Sequence, residues 1–262
     1  MTVEEISKRT CRSLEWDRLR TFLAAESETA GGKDLCLALT PEEPRALVVR
    51  LLEETNEALS LIQARSYLAL GGLPDLAQVL VRLQAGAALN ALELLSVRTT
   101  FVIARQIKAS LSLLSADVFP RLAAYQPRLM PVEPLIAAVE TAIDEGGTVK
   151  DEASTLLRNL RREVYRLDQQ IKEELMKIIR SSTLSKALQE QIYTQRNGRY
   201  VLPVDANMRS HINGIVHDSS ASGLTVFVEP MAVVELANKM RIKESEIDFE
   251  IARILQELSA LA

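Results

Sequence analysis

Residues 157–178 read LRNLRREVYRLDQQIKEELMKI, and the spacing of their apolar positions decides the fold. Leu157, Leu160, Val164, Leu167, Ile171 and Ile178 recur at three- and four-residue steps, interrupted by Glu174. That is the heptad stripe of a long helix burying a seam against a partner helix. A second stripe runs through Val233, Ala237, Met240, Ile247, Ile251, Ile254, Leu258 and Leu261, with Glu244 at its polar seam position. Each helix is expected to span roughly 30 residues, hence about 45 Å at 1.5 Å per residue. The segment between them must turn the chain round, so the pattern predicts two antiparallel arms with a small unit at the tip.

At the tip the period changes. Residues 192–195, 199–204, 214–217 and 224–228 are short runs rich in β-branched or aromatic residues, and Asn197-Gly198 is a two-residue hairpin signal. Pro203 suits an edge strand, and residues 219–223 (SSASG) read as a turn. The chain stops at Leu261-Ala262 still in heptad phase, from which a continuation beyond this sequence is expected.

Upstream the sequence predicts a helical bundle. One helix opens at Ser13 and closes near Gly31-Gly32; another opens at a Thr40–Glu43 capping box with Pro41 at the first helical position and ends at Gly71-Gly72. Pro74 starts a helix that stops at Gly86, and Asn90 with Glu93 caps the segment from Leu92 to Leu114. Four prolines between Phe119 and Pro134 mark a bend or domain edge, followed by a shorter helix over 132–143 ended by Gly146-Gly147. The expected architecture is mainly α: a helical core bundle, then a long antiparallel two-helix pair carrying a small β unit at its tip.

Composition narrows the function classes. With 47% hydrophobic and 25% charged residues in 262, the chain is able to bury a core, so it is not a disordered linker. Cys11 and Cys36 lack metal-ligand or CxxC spacing and read as small core residues of a protein in a reducing cytoplasm. No apolar run reaches the ~20 residues of a membrane span. There is no GxxxxGK[ST] loop, GxSxG elbow or HExxH pair, so neither a catalytic residue nor a nucleotide site is assigned. His211, His217 and Glu229 lack a recognised metal-ligand spacing. Ser219, Ser220 and Ser222 read as a hydrogen-bonded turn rather than nucleophiles. No cofactor or metal is expected within these residues.

Charge is distributed unevenly. Residues 158–211 hold eleven basic against six acidic side chains in a chain whose total is −4. Along the arm these basic residues read as a solvated face with local pairs such as Glu173 with Lys177. Around the hairpin, Arg196, Asn197 and Arg199, with Arg209 and His211 nearby in sequence, form a candidate phosphate-contacting set. Solvation and phosphate contact both remain open for that set, and neither implies base-specific reading.

The segments RNGRYVLPV (196–204), GIVHD (214–218), SASGLTVFVEP (220–230) and AVVELAN (232–238) resemble the clamp and returning lever of the MutS-two family, and LGGLPDL (70–76) and IDEGGTVKDEAS (143–154) resemble its core and lever entry. The resemblance covers nearly the whole chain in order. It implies a helical core over 1–150, an outgoing lever over 151–190, a β clamp over 191–230 and a returning lever over 231–262. It further implies a homodimeric, cytoplasmic protein acting on DNA, branched or in recombination intermediates, so as to restrain homologous recombination. In some bacteria such proteins act on collided ribosomes. An ATPase using ATP and magnesium, and a nuclease, are implied beyond residue 262. Carried over from the clamp, Arg196, Asn197, Arg199, Arg209 and His211 are the implied nucleic-acid contacts, while 218–230 shapes the clamp's junction with the returning arm.

Overall fold

A computed structural model describes residues 9–42, 44–64 and 68–262. The chain divides into two compact units, Met1–Thr148 with Leu255–Ala262, and Val149–Ile254.

The first unit is helical. Residues 9–13 are helical, Glu15 takes a left-handed φ of 52°, and α1 (Trp16–Ala25) follows, later than the expected start at Ser13. Gly31-Gly32 do not end a helix. They lie in the first turn of α2 (Ala30–Ala38), where the Thr29 hydroxyl accepts the Gly32 N–H at 3.0 Å. A good N-cap outweighs the weak helix propensity of two glycines. The α1–α2 hairpin is closed by Trp16 Nε1 donating to Leu39 O at 3.1 Å and Arg20 Nη1 to Leu37 O at 2.6 Å.

α3 (Arg45–Gln63) starts after Pro44, not at Pro41. A helix begun at Pro41 would place Pro44 in its fourth position, where the ring meets the carbonyl four residues back. Glu43, the other half of the expected capping box, lies outside the described residues. α3 also ends before Gly71-Gly72, which occupy a turn. α4 (Ala77–Gln84) is followed by Gly86 at φ +72°. α5 (Ala91–Ser112) carries the expected capping box: Asn90 accepts the Glu93 N–H at 2.9 Å and Glu93 accepts the Asn90 N–H at 2.8 Å. The proline-rich stretch folds into α6 (Pro120–Ala123), a 3-10 turn (Gln126–Arg128) and α7 (Glu133–Ala142). Leu94 and Val97 of α5 with Leu135, Ile136 and Val139 of α7 are buried at the centre of this unit. Cys11 and Cys36, expected as core residues, are half-buried and unbonded to each other.

In the second unit, α8 (Thr155–Ile179) and α9 (Met231–Ala260, as far as Ile254) run antiparallel. Ser154 meets Glu250, Glu163 meets Lys243, and Ile171, Leu175 and Ile179 share a buried cluster with Val233, Ala237 and Met240. The α8 seam departs from a strict heptad. Its buried residues are Leu157, Leu160, Leu167, Ile171, Leu175 and Ile179, so the last turns step by four and Ile178 is only partly buried. An α-helix with 3.6 residues per turn drifts off a 3.5 repeat, which moves Glu174 to the flank. There Glu174, rather than Glu173, pairs with Lys177 at 2.6 Å. On α9, Glu250 is buried, while Ile247 and Ile251 are half-buried. Its carboxylate accepts hydrogen bonds from Arg253 (2.8 Å) and the Ser154 hydroxyl (2.6 Å). Those bonds, led by Arg253, outweigh burial and hold its pKa down to about 2. Ser154 simultaneously N-caps α8 by accepting from Leu157 N.

Between these helices lies a four-stranded antiparallel sheet of β1 (Thr194–Arg196), β2 (Arg199–Asp205), β3 (Gly214–Ser219) and β4 (Thr225–Pro230), in the order β1-β2-β4-β3. Tyr200, Leu202, Val204 and Val228 pack on the apolar seams of α8 and α9. Pro203 therefore stands in a central strand, contrary to the edge expected for it. β1 pairs only as far as Val201, and the Pro203 carbonyl instead accepts the Gln189 N–H at 2.9 Å. In an antiparallel strand the N–H and C=O of a residue point the same way, so the donor Pro203 lacks faces the side that β1 has already vacated. Among the described residues, no helix is long and apolar enough to cross a membrane.

Candidate nucleic-acid interface

Asn197 and Gly198 take φ of 52° and 72°, the paired left-handed geometry of a type I′ turn, and are exposed. The register sets Arg196 directly across from Arg199. Two like charges facing each other destabilise a strand pair, and each arginine is relieved by its own carboxylate. Arg196 lies over the Phe227 ring, its Cζ 4.3 Å from the centroid, with Nε 3.6 Å from Asp218. Its side chain remains 40% exposed.

Arg199 points inward instead. Its Nη1 donates to Asn238 Oδ1 at 2.8 Å and stands 3.3 Å from Glu229 Oε1, with 17% of the side chain exposed. Glu229 is 1% exposed, and its second oxygen meets His217 Nε2 at 2.6 Å. Burying a carboxylate costs several kcal/mol unless hydrogen-bonding partners saturate it, and the Arg199 guanidinium and the His217 ring are those partners. Asn238 comes from α9, so this cluster fastens β2, β3 and β4 to the helix that follows them. It is the network that sequence reasoning missed. The signal was only a Glu before Pro230 in an apolar strand, and alternation alone leaves open whether such a residue faces in or out.

Arg209 and His211 lie elsewhere. They sit in the 3-10 turn Ala206–His211 that follows β2, so the length of that strand separates them from the hairpin turn, roughly 20 Å at 3.3 Å per residue. Arg209 donates to Ile212 O (2.9 Å) and Gly214 O (2.6 Å), bracing the β2–β3 connection. His211 is exposed, with Nδ1 3.3 Å from Met208 O. The five candidate residues thus fall into two groups, of which Arg196, Asn197 and His211 face solvent.

A further cation joins the turn from outside the basic stretch. Arg241 of α9 is exposed and brings Nη2 within 3.7 Å of where a side chain on Gly198 would start. Along α8 the basic residues are largely taken by neighbours: Lys172 by Asp168 (2.7 Å), Lys177 by Glu174, and Arg161 by Asp151 (2.5 Å) and Val149 O (2.8 Å). Asp168 also accepts the Tyr200 hydroxyl at 2.5 Å; burial opposes its ionisation, but the Lys172 and Tyr200 hydrogen bonds prevail and its pKa is lowered. Among the described residues, no group of three or more His, Cys, Asp or Glu side chains is placed to hold a metal.

This assembly is a helix-mounted β unit with an arginine-flanked turn, and proteins of one class match it along its length. No family model matches the chain. It is 40% identical over 257 residues to the Endonuclease MutS2 of Geobacillus thermodenitrificans, covering 97% of this chain and 33% of that protein. It is 38% identical to that of a Geobacillus species (97% and 32%) and 34% identical to that of Clostridioides difficile (98% and 33%). The chain belongs to the MutS2 family, and it spans about a third of the length of the curated relatives it matches.

Proposed function

We propose that these residues are the core, lever and clamp of a MutS-like protein that binds DNA, and that the Asn197-Gly198 turn is a contact to the phosphate backbone. The observation that supports this most directly is the approach of Arg241 to an exposed turn that the partly exposed Arg196 directly precedes. Guanidinium groups beside a phosphodiester add affinity without reading sequence. Arg199 and Arg209 act as braces in this reading, and His211 marks a separate point of contact. The preferred ligand is branched DNA, and restraint of homologous recombination is the role. The paired helices α8 and α9 carry movement between the helical unit and the β unit. ATP, magnesium, homodimer formation and the endonuclease activity named for the relatives are assigned to the whole protein.

A second reading, a docking module for the ribosome, is favoured by the exposed apolar side chains of the helical unit, among them Phe22 (60%), Leu52 (64%) and Ile62 (62%). Fluorescence anisotropy of the chain with four-way-junction and linear duplex DNA across a salt series separates the two. Clamp binding predicts junction preference, a steep fall with salt, and loss of about 1–2 units of log–log salt slope in R196E/R241E, near 0.9 per phosphate contact. Absence of binding at low salt, or binding indifferent to that double variant, removes the turn as the contact and moves the docking reading ahead.

A further inference from the structure

A second basic site lies within the helical unit, between α3 and the α6 segment. Arg50, Glu54, Arg121, Tyr125 and Arg128 line an open cleft of about 270 Å³. The carboxylates beside it are already engaged. Glu53 pairs with Arg121 Nη2 at 2.6 Å, Glu54 accepts the Tyr125 hydroxyl, and Glu57 accepts the Arg121 and Leu122 N–H groups, each at 2.9 Å. Arg50 and Arg128, by contrast, have no carboxylate partner among the described residues. Arg128 stacks over the Tyr125 ring with its Cζ 5.3 Å from the centroid. Both guanidinium groups favour ionisation of that phenol, although the Glu54 hydrogen bond and burial prevail and hold its pKa above the ordinary value.

We infer that this cleft is a phosphate-binding site. A guanidinium offers planar paired donors that match phosphate oxygens, and the stack on Tyr125 fixes the plane of Arg128. Arg50, on α3, lines the same cleft and also acts electrostatically on Tyr125, so both guanidinium groups are available to one anion. Glu54 is the one lining carboxylate, and its bond to Tyr125 ties it down. Arg50 and Arg128 outweigh its single charge, so the cleft attracts an anion in spite of it. The phosphate belongs either to a polynucleotide strand or to a small phosphate-bearing molecule. The strand source rests on the function proposed above; the small-molecule source does not.

The test uses the whole chain in two arms. Arginine Nε–Hε NMR resonances are titrated with pyrophosphate, and duplex DNA binding is followed by anisotropy over a salt series, for the wild type, R50Q/R128Q and R128K. Saturable shifts of the Arg50 and Arg128 signals are expected, with affinity falling about tenfold in R50Q/R128Q, and by less in R128K, which keeps the charge but loses the fork. If the double variant also lowers the DNA salt slope by about 1–2, the source is a strand. If pyrophosphate binds while the DNA slope is unchanged, the source is a small molecule. Pyrophosphate saturation without any DNA binding supports the site while removing the proposed function. Absence of pyrophosphate shifts at both arginines, with DNA binding unaltered in the double variant, overturns the inference and leaves the clamp reading standing.

Discussion

Replacing Glu229 with alanine tests whether one buried carboxylate holds the β unit on α9. At 1% exposure Glu229 meets Arg199 at 3.3 Å and His217 at 2.6 Å. A hydrogen bond to a charged group is worth about 1.5–3 kcal/mol, and removing one member of a buried pair costs about 3–5 kcal/mol because the remaining charge is left without a partner. Arg199 keeps Asn238, and both bases retain some solvent, at 17% and 22% exposure, so the lower end applies: about 3 kcal/mol for Glu229→Ala. Glu229→Gln keeps the shape and one acceptor and should cost about 1.5 kcal/mol. The readout is native-state hydrogen exchange of β2 and β4 amides, with α5 amides of the helical unit as the internal reference. Three kcal/mol corresponds to more than a hundredfold faster opening of the β unit, with α5 unchanged. Acceleration below about fivefold, roughly 1 kcal/mol, would refute the carboxylate as the organising group.

Three further outcomes follow from the packing. Glu250 has its folded pKa depressed from 4.5 to about 2, so its contribution is complete above the unfolded value and is lost as pH falls from about 4.5 towards 2. An acid titration monitored by exchange at the α8 N-terminus should show this loss, on the order of 1 kcal/mol because Arg253, the leading partner, is 51% exposed and screened by water; Ser154→Ala should weaken the same amides at neutral pH by about 1 kcal/mol through the lost cap, and an acid transition unaltered in Glu250→Gln would exclude the linkage. Gly214→Ala places a methyl 2.2 Å from the Glu229 carbonyl oxygen and 2.8 Å from Val228 Cγ1, so β3 must separate from β4; thermal unfolding or exchange of β3 indistinguishable from wild type would show that the strands move apart at little cost.

Periodicity, caps and turn residues are local properties, and the sequence determined what depends on them: two long apolar stripes, the Asn90–Glu93 capping box, and Asn197-Gly198 as the turn of a hairpin. It also displayed the motifs of the family. Competition between local signals was less legible. Gly31-Gly32 resemble a helix end until Thr29 caps them, and Pro41 resembles a helix start until Pro44 is weighed against it. The direction in which a charged side chain spends its donors was not legible at all, because it depends on partners remote in sequence. Arg196 and Arg199 are equivalent in the sequence RNGR, yet one reaches solvent over Phe227 and the other turns to Glu229, thirty residues on, and to Asn238. Arg241 joins the turn, and Arg209 leaves it, only once β2 and α9 are placed side by side. Chain-local free energy fixes the elements, whereas the cost of burying charge is settled between elements, and only the tertiary structure decides which arginines remain free to meet a ligand.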